Sequence, residues 1–239
     1  MKKLIIAMAA CMMIVGCKKQ HMISCNVLSK SLAVKETYTV PATCEDPIIY
    51  TSANEYAVQV SSNGIVTARH YTGKGTEIAL TSKDDSKSFI VHVAPRNTLY
   101  NEPKFAFGHP RSTFTPSYQL VATTDDANLY SFKVGGEDSF LMVAFSDDDC
   151  VSAYSVLVPI EKKRDLDVFL EDRYEYIGCS SGYDMYINAL KEADVTMLVG
   201  VDLFNYNGLS LWMADYLPYA HDNKTSIEDM KGRLLTLLK

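Results

Sequence analysis

From residue 28 to residue 95, apolar and polar side chains alternate in short bursts. In "FIVHVA", Phe89, Val91 and Val93 fall on one side and Ile90 and His92 on the other; in "TEIALTS", Ile78 and Leu80 repeat the pattern. A period of two sends successive side chains to opposite faces of a strand and draws no stripe along a helix. The bursts are separated by polar turns such as Ser62-Asn63-Gly64 and Asp84-Asp85-Ser86. Short strands at this spacing predict a small antiparallel β sandwich. Asn63-Gly64 suits a hairpin turn because both residues tolerate positive φ.

The stretch "YTSANEYAVQVSSNGIVTARHYTGKGTEIALTS" resembles the bacterial immunoglobulin-like group 2 domain. The resemblance rests on an aromatic and a Ser-rich turn, then Asn63-Gly64-Ile65-Val66-Thr67-Ala68, a glycine, and a Thr-x-Ile strand; Tyr50 stands where that family carries tryptophan. It implies an Ig-like spacer or adhesive module of cell envelopes rather than a catalyst. The same stretch contains Gly73-Lys74-Gly75-Thr76, the residue types of a phosphate-cradling loop. Such a loop needs a glycine five residues before the Gly-Lys pair, a hydroxyl after it, and a helix to follow. Here Ala68 and Gly75 occupy those two positions and an alternating strand follows. It reads as a loop entering a sandwich strand.

The N-terminus carries Lys2 and Lys3, an apolar run from Leu4 to Val15, and then Gly16-Cys17. This is the layout of a secretory signal peptide over residues 1–16, and the run is shorter than the ~20 residues of a spanning helix. Ile14-Val15-Gly16-Cys17 resembles the bacterial lipobox. The resemblance implies that Cys17 becomes the lipidated N-terminus, so that the membrane partner is reached through an acyl anchor worth ~0.8 kcal/mol per buried methylene. Lys18-Lys19 follow in place of an inner-membrane retention aspartate, which implies the outer membrane, with the leaflet left open. Loss of Lys2 and Lys3 leaves 21 basic against 29 acidic side chains, a net charge of -8. That balance excludes nucleic acid as a partner, which requires a basic face.

Four cysteines then remain, Cys25, Cys44, Cys150 and Cys179. Cys25 with Cys44 is the pairing expected of a disulfide, the alternative being buried free thiols. The chain has no C-x-x-C pair, the acids of "SDDDC" (146–150) lack the alternate spacing of a calcium loop, and no two histidines stand at a ligand spacing. No metal and no cofactor is expected.

"APRNTLYNEP" divides the chain: a tether over 17–27, the sandwich over 28–95, a linker over 96–101, a second domain over 102–220 and a C-terminal tail over 221–239. In the second domain a short helix is expected between Pro110 and Tyr118, and a longer one in "RDLDVFLEDRYEYIG". There Leu166, Phe169, Leu170, Tyr174 and Ile177 share a face, Asp165 caps, Gly178 stops, and Glu171, Asp172 and Glu175 point to water. With three strands after each helix, the pattern predicts an α+β two-layer domain, an antiparallel sheet with helices on one face, and hints at a duplicated half. The tail opens with a capping box, Thr225 and Glu228, and sets Ile227, Met230, Leu234 and Leu238 on one helical face.

Two candidate sites emerge. "GCSSG" centres a formal nucleophile elbow on Ser180, with Asp184, Asp194, Asp202, Asp215 and His221 downstream. An elbow needs a strand before the serine and a helix after it, however, and the pattern here gives the reverse. Among the many tyrosines, the loop members Tyr176, Tyr183 and Tyr219 could form a surface for a protein or glycan ligand. The sequence therefore reads as a lipid-anchored envelope protein with a non-catalytic role in binding, adhesion or assembly. The alternatives are a small serine hydrolase using Ser180 and a structural subunit of an envelope assembly.

Overall fold

A computed structural model describes residues 22–114, 117–180, 182–206 and 208–219. The expectations for Cys17, His221 and the C-terminal helical pattern lie outside these residues.

The first module is the expected sandwich. One sheet joins β2 (Ser29–Ala33), β9 (Ser86–Ala94), β8 (Gly75–Thr81) and β5 (Ile49–Ser52) in that order. The other joins β3 (Thr37–Thr39), β7 (Ile65–Ala68) and β6 (Val58–Val60). Between them lie Ile78, Leu80, Phe89, Val91, Val66 and Val58, all essentially without exposure; burying each such side chain stabilises by roughly 1.5–3 kcal/mol. Alternation thus selected the inward residues correctly. The module is not wholly antiparallel, since β2 runs parallel to β9. It also begins before Leu28: β1 (Ser24–Cys25) pairs with β4 (Ala42–Thr43), and Ile23 and Cys25 are buried in the same core.

Two glycines are required by close packing in this module. Gly64 turns β6 into β7 at φ +72, and a Cβ there would lie 2.7 Å from the Tyr50 ring, so Tyr50 packs directly over the hairpin. At Gly75 a Cβ would come within 2.9 Å of both His92 and Ile90. The second glycine of Gly73-Lys74-Gly75 therefore serves strand packing.

The second module is one antiparallel sheet of eight strands. Its order is β10 (Gln119–Thr123), β11 (Ala127–Val134), β12 (Glu137–Phe145), β13 (Val151–Pro159), β17 (Leu209–Pro218), β16 (Met197–Tyr206), β15 (Tyr183–Ile187) and β14 (Glu175–Ser180). Two four-strand meanders, β10–β13 and β14–β17, meet where β13 pairs with β17. The duplicated half is thus visible in topology, with four strands in each half where three were expected.

The two-layer α+β expectation, with helices on one face, needs correction. Among the described residues there is a single α-helix, α1 (Lys163–Glu171), which buries Leu166, Phe169 and Leu170. Among the described residues between Pro110 and Tyr118, Arg111–Thr113 form a single 3-10 turn, since the prolines at 110 and 116 leave little room for a longer helix. Nor does α1 reach Gly178: it starts without a side-chain cap, Asp165 sits in its first turn, and it ends at Glu171. Beyond it Tyr174 is buried against the sheet, while Ile177 and Gly178 belong to strand β14. Tertiary bonds to Asp172 and sheet pairing to β15 outweigh a helical period that continued on paper. The cover over this face is completed by aromatics from the stretch ahead of β10. Phe105 lies against Tyr216 at 4.8 Å, and the Tyr100 and Tyr216 hydroxyls bond at 2.5 Å.

Candidate functional site

A polar constellation sits where the modules meet, built from residues far apart in the chain. The C-terminal end of α1 and the start of β14, residues 171 to 175, face the sandwich. Lys35 Nζ reaches Glu171 Oε2 at 2.8 Å, and Arg96 Nη2 reaches the same oxygen at 3.3 Å. Glu175 Oε2 takes Arg69 Nη2 at 3.1 Å and His70 Nε2 at 2.9 Å. At the centre Asp172 is fully buried. One of its oxygens accepts from Arg96 Nε at 2.6 Å, and the other accepts from the backbone amides of Arg96 at 2.5 Å and Asn97 at 3.1 Å. Its own carbonyl accepts from the Tyr71 amide at 2.6 Å. The expected linker over 96–101 is therefore pinned at its first two residues.

Arg173 belongs to the same joint. Its guanidinium lies 5.1 Å from the Tyr71 ring centre and donates to Glu102 at 3.1 Å, while its carbonyl accepts from the Tyr56 hydroxyl at 2.6 Å. Tyr56 stacks on His70 with ring centres 4.4 Å apart. Burial pushes the His70 imidazole below its ordinary value, although the bond and charge of Glu175 pull the other way. Glu175 is itself burdened by burial, but its bonds to His70 and Arg69 prevail and hold its carboxyl below the usual range. Glu171 is lowered chiefly by its bond to Lys35. At neutral pH the imidazole is thus uncharged and donates its Nε2 hydrogen to an ionised carboxylate.

This joint was missed in the sequence, which assigned Glu171, Asp172 and Glu175 to a solvated helix face. No local signal marks it, because its partners, Lys35, the adjacent Arg69 and His70, and Arg96, lie on three separated segments of the chain.

Two clefts flank the joint. One, of about 430 Å³, is lined by Lys35, Arg69, His70, Glu171, Glu175 and Tyr176. The other, of about 490 Å³, lies between residues 52–56 and 188–194. The first opens onto β14, an edge strand with one neighbour, where Tyr176 and Ile177 are 50% and 53% exposed. An edge strand of this kind leaves backbone donors and acceptors available for pairing with another chain.

The three tyrosines expected to share a surface are separated by the sheet. Tyr176 packs against Tyr186 with the rings tilted at 58°, and the Tyr186 ring belongs to the α1 face, whereas Tyr183 is 7% exposed within the cluster on the opposite face. Tyr219 pairs its amide with Thr196, six residues along β16 from the level of Tyr183, or ~20 Å at strand rise. Ser180 ends β14 and pairs directly with Tyr183 across a hairpin, so a strand and not a helix follows it. Asp184 is engaged by Lys163 at 3.2 Å. Among the described residues Cys25, Cys44, Cys150 and Cys179 form no disulfide, so the expected Cys25–Cys44 bridge is not made, and Cys25 Sγ donates to the Val27 carbonyl at 3.2 Å. Among the described residues no three His, Cys, Asp or Glu side chains gather as a metal site.

No protein-family model matches the chain, and no curated protein matches it. Solved structures with some likeness include a GH10 xylanase from termite gut that contains a bacterial Ig-like domain. It is 18% identical with a TM-score of 0.26, over 38% of this chain and 23% of that one. Domains 5–6 of the S-layer protein SbsC give 12% identity and a TM-score of 0.26 over 85% of both chains. A larger SbsC fragment, domains 4–9, gives 11% and 0.26 over 85% of this chain and 27% of that one. The chain therefore spans about a quarter of the xylanase, and at such TM-scores none of these likenesses bears on role.

Proposed function

We propose that this is a lipid-anchored protein of the cell envelope, held in the outer membrane through Cys17, with a non-catalytic role in binding, adhesion or assembly. The observation that carries the reading is the joint. Glu171, Asp172 and Glu175 clamp the eight-stranded module to a sandwich whose core begins at Ile23, six residues after the anchor cysteine. A short leash and a bonded joint suit a spacer that presents the second module at a fixed attitude. The presented surface is the β14 edge and its adjoining cleft, which combine exposed aromatic and aliphatic side chains with open backbone groups. Those are the means by which a protein strand, or a glycan laid over Tyr176, would be recognised.

The experiment has two arms. Cys17→Ala should move the protein from the membrane to the soluble fraction, and continued sedimentation with membranes would refute the anchor. In detergent extracts, Ile177→Lys on the β14 edge should abolish co-purification of any partner that the unaltered protein retains. Equal recovery from both would remove β14 from the role.

A further inference from the structure

The eight-stranded sheet buries two faces, and α1 accounts for one. On the other, the register sets Leu129, Met142, Ser155, Asp215, Gly200 and Met185 in a row across six strands. A parallel row runs through Phe140, Leu157 and Met213 toward Tyr183. Met142, Met213, Ala144 and Ala153 have no exposure and Leu157 has 1%. Every residue of this cluster comes from the sheet itself. An open sheet cannot hide its own face, and this one is open: β10 and β14 each pair with a single neighbour. Among the described residues nothing lies across it.

We propose that residues 220–239, the C-terminal tail, form the layer that seats on this face. The tail leaves from β17, in the middle of the sheet, directly after Pro218 and Tyr219. Its residues Ile227, Met230, Leu234 and Leu238 recur at steps of three and four, the stripe a helix presents to a core. A helix over 225–239 is ~22 Å long at ~1.5 Å per residue, and the six strands from β11 to β15 span ~24 Å at ~4.8 Å spacing. The face also carries a fully buried carboxylate, Asp215, which accepts from the Ser155 hydroxyl, and the tail carries four basic side chains, Lys224, Lys231, Arg233 and Lys239, against three acidic ones, Asp222, Glu228 and Asp229. The second module thereby becomes three layers, with the sheet enclosed between α1 and the tail.

Photo-cross-linking in the full-length protein tests the seating. With p-benzoylphenylalanine in place of Leu234, irradiation should join the tail to its own chain at Met142, Leu157 or Met213, located by peptide mass spectrometry; the same label in place of Glu228, on the polar face, should give little. Cross-links to the sandwich or to α1, none at all, or a covalent dimer showing that a second copy covers the face would each overturn the proposal. A chain ending at Tyr219 supplies an independent reading: it should bind the apolar dye ANS where the full chain does not, and a 220–239 peptide added back should suppress that signal. Unchanged dye binding and melting temperature in the truncated chain would also refute it.

Discussion

Asp172→Ala should destabilise this protein more than any substitution at the exposed ion pairs, because its carboxylate is fully buried and serves three donors. Removing it strands the Arg96 side chain and leaves the amides of Arg96 and Asn97 without their acceptor. Deleting one partner of a buried ion pair costs about 3–5 kcal/mol, and each buried amide left unpaired costs about 1–3 kcal/mol. The Arg96 side chain is 29% exposed and regains some water, which places the expected loss near 3 to 5 kcal/mol, about 1–2 M in urea midpoint for a chain of this size. By contrast Lys35→Ala, whose side chain is 64% exposed, should cost under ~1 kcal/mol. Urea unfolding of the chain lacking its first 17 residues can be followed by far-UV circular dichroism, which sees both modules, and by the fluorescence of Trp212, which lies in the second alone. In the unaltered protein the two transitions should coincide; in Asp172→Ala they should separate as the modules uncouple. If Asp172→Ala is no more damaging than Lys35→Ala, the clamp is not what joins the modules.

Acid should loosen the same joint. His70, Glu171 and Glu175 all have folded values below their unfolded ones, so each contributes stability above its unfolded value that is lost as pH falls through the folded one. The His70 share should begin to fade below about pH 6.5 and the carboxylate share below about pH 4.5. Glu102, raised by burial against the pull of Tyr174 and Arg173, works in the opposite sense, so the comparison to make is with His70→Phe. That variant should flatten the stability profile between pH 7 and 5 while keeping the stack on Tyr56, and a profile parallel to the unaltered protein would refute the role of His70. Gly64→Ala should cost about 1–3 kcal/mol by thermal melting, from its positive φ and the displaced Tyr50 ring; a neutral result would mean that Tyr50 does not pack there.

Alternation of apolar residues determined the sandwich strands, and long β-branched and aromatic runs determined β11, β12, β13, β16 and β17, because these patterns repeat within a few residues and need no distant partner to be read. Asn63-Gly64 likewise declared its hairpin, and the failed spacing around Gly73 excluded a phosphate loop before any fold was known. Only the tertiary structure decided where α1 stops, since the period through Tyr174 and Ile177 favoured a helix and the pairing of β14 with β15 overrode it. Nor could sequence reveal that Tyr176 and Tyr183 lie on opposite faces, for the face of a side chain depends on strand parity, which a misjudged helix end reverses. The joint was the least legible feature of all. Lys35, Arg69 with its neighbour His70, and Arg96 lie on separated segments of the chain, and they become a site only when folding carries them to Glu171 at the end of α1 and to Asp172 and Glu175 just beyond it.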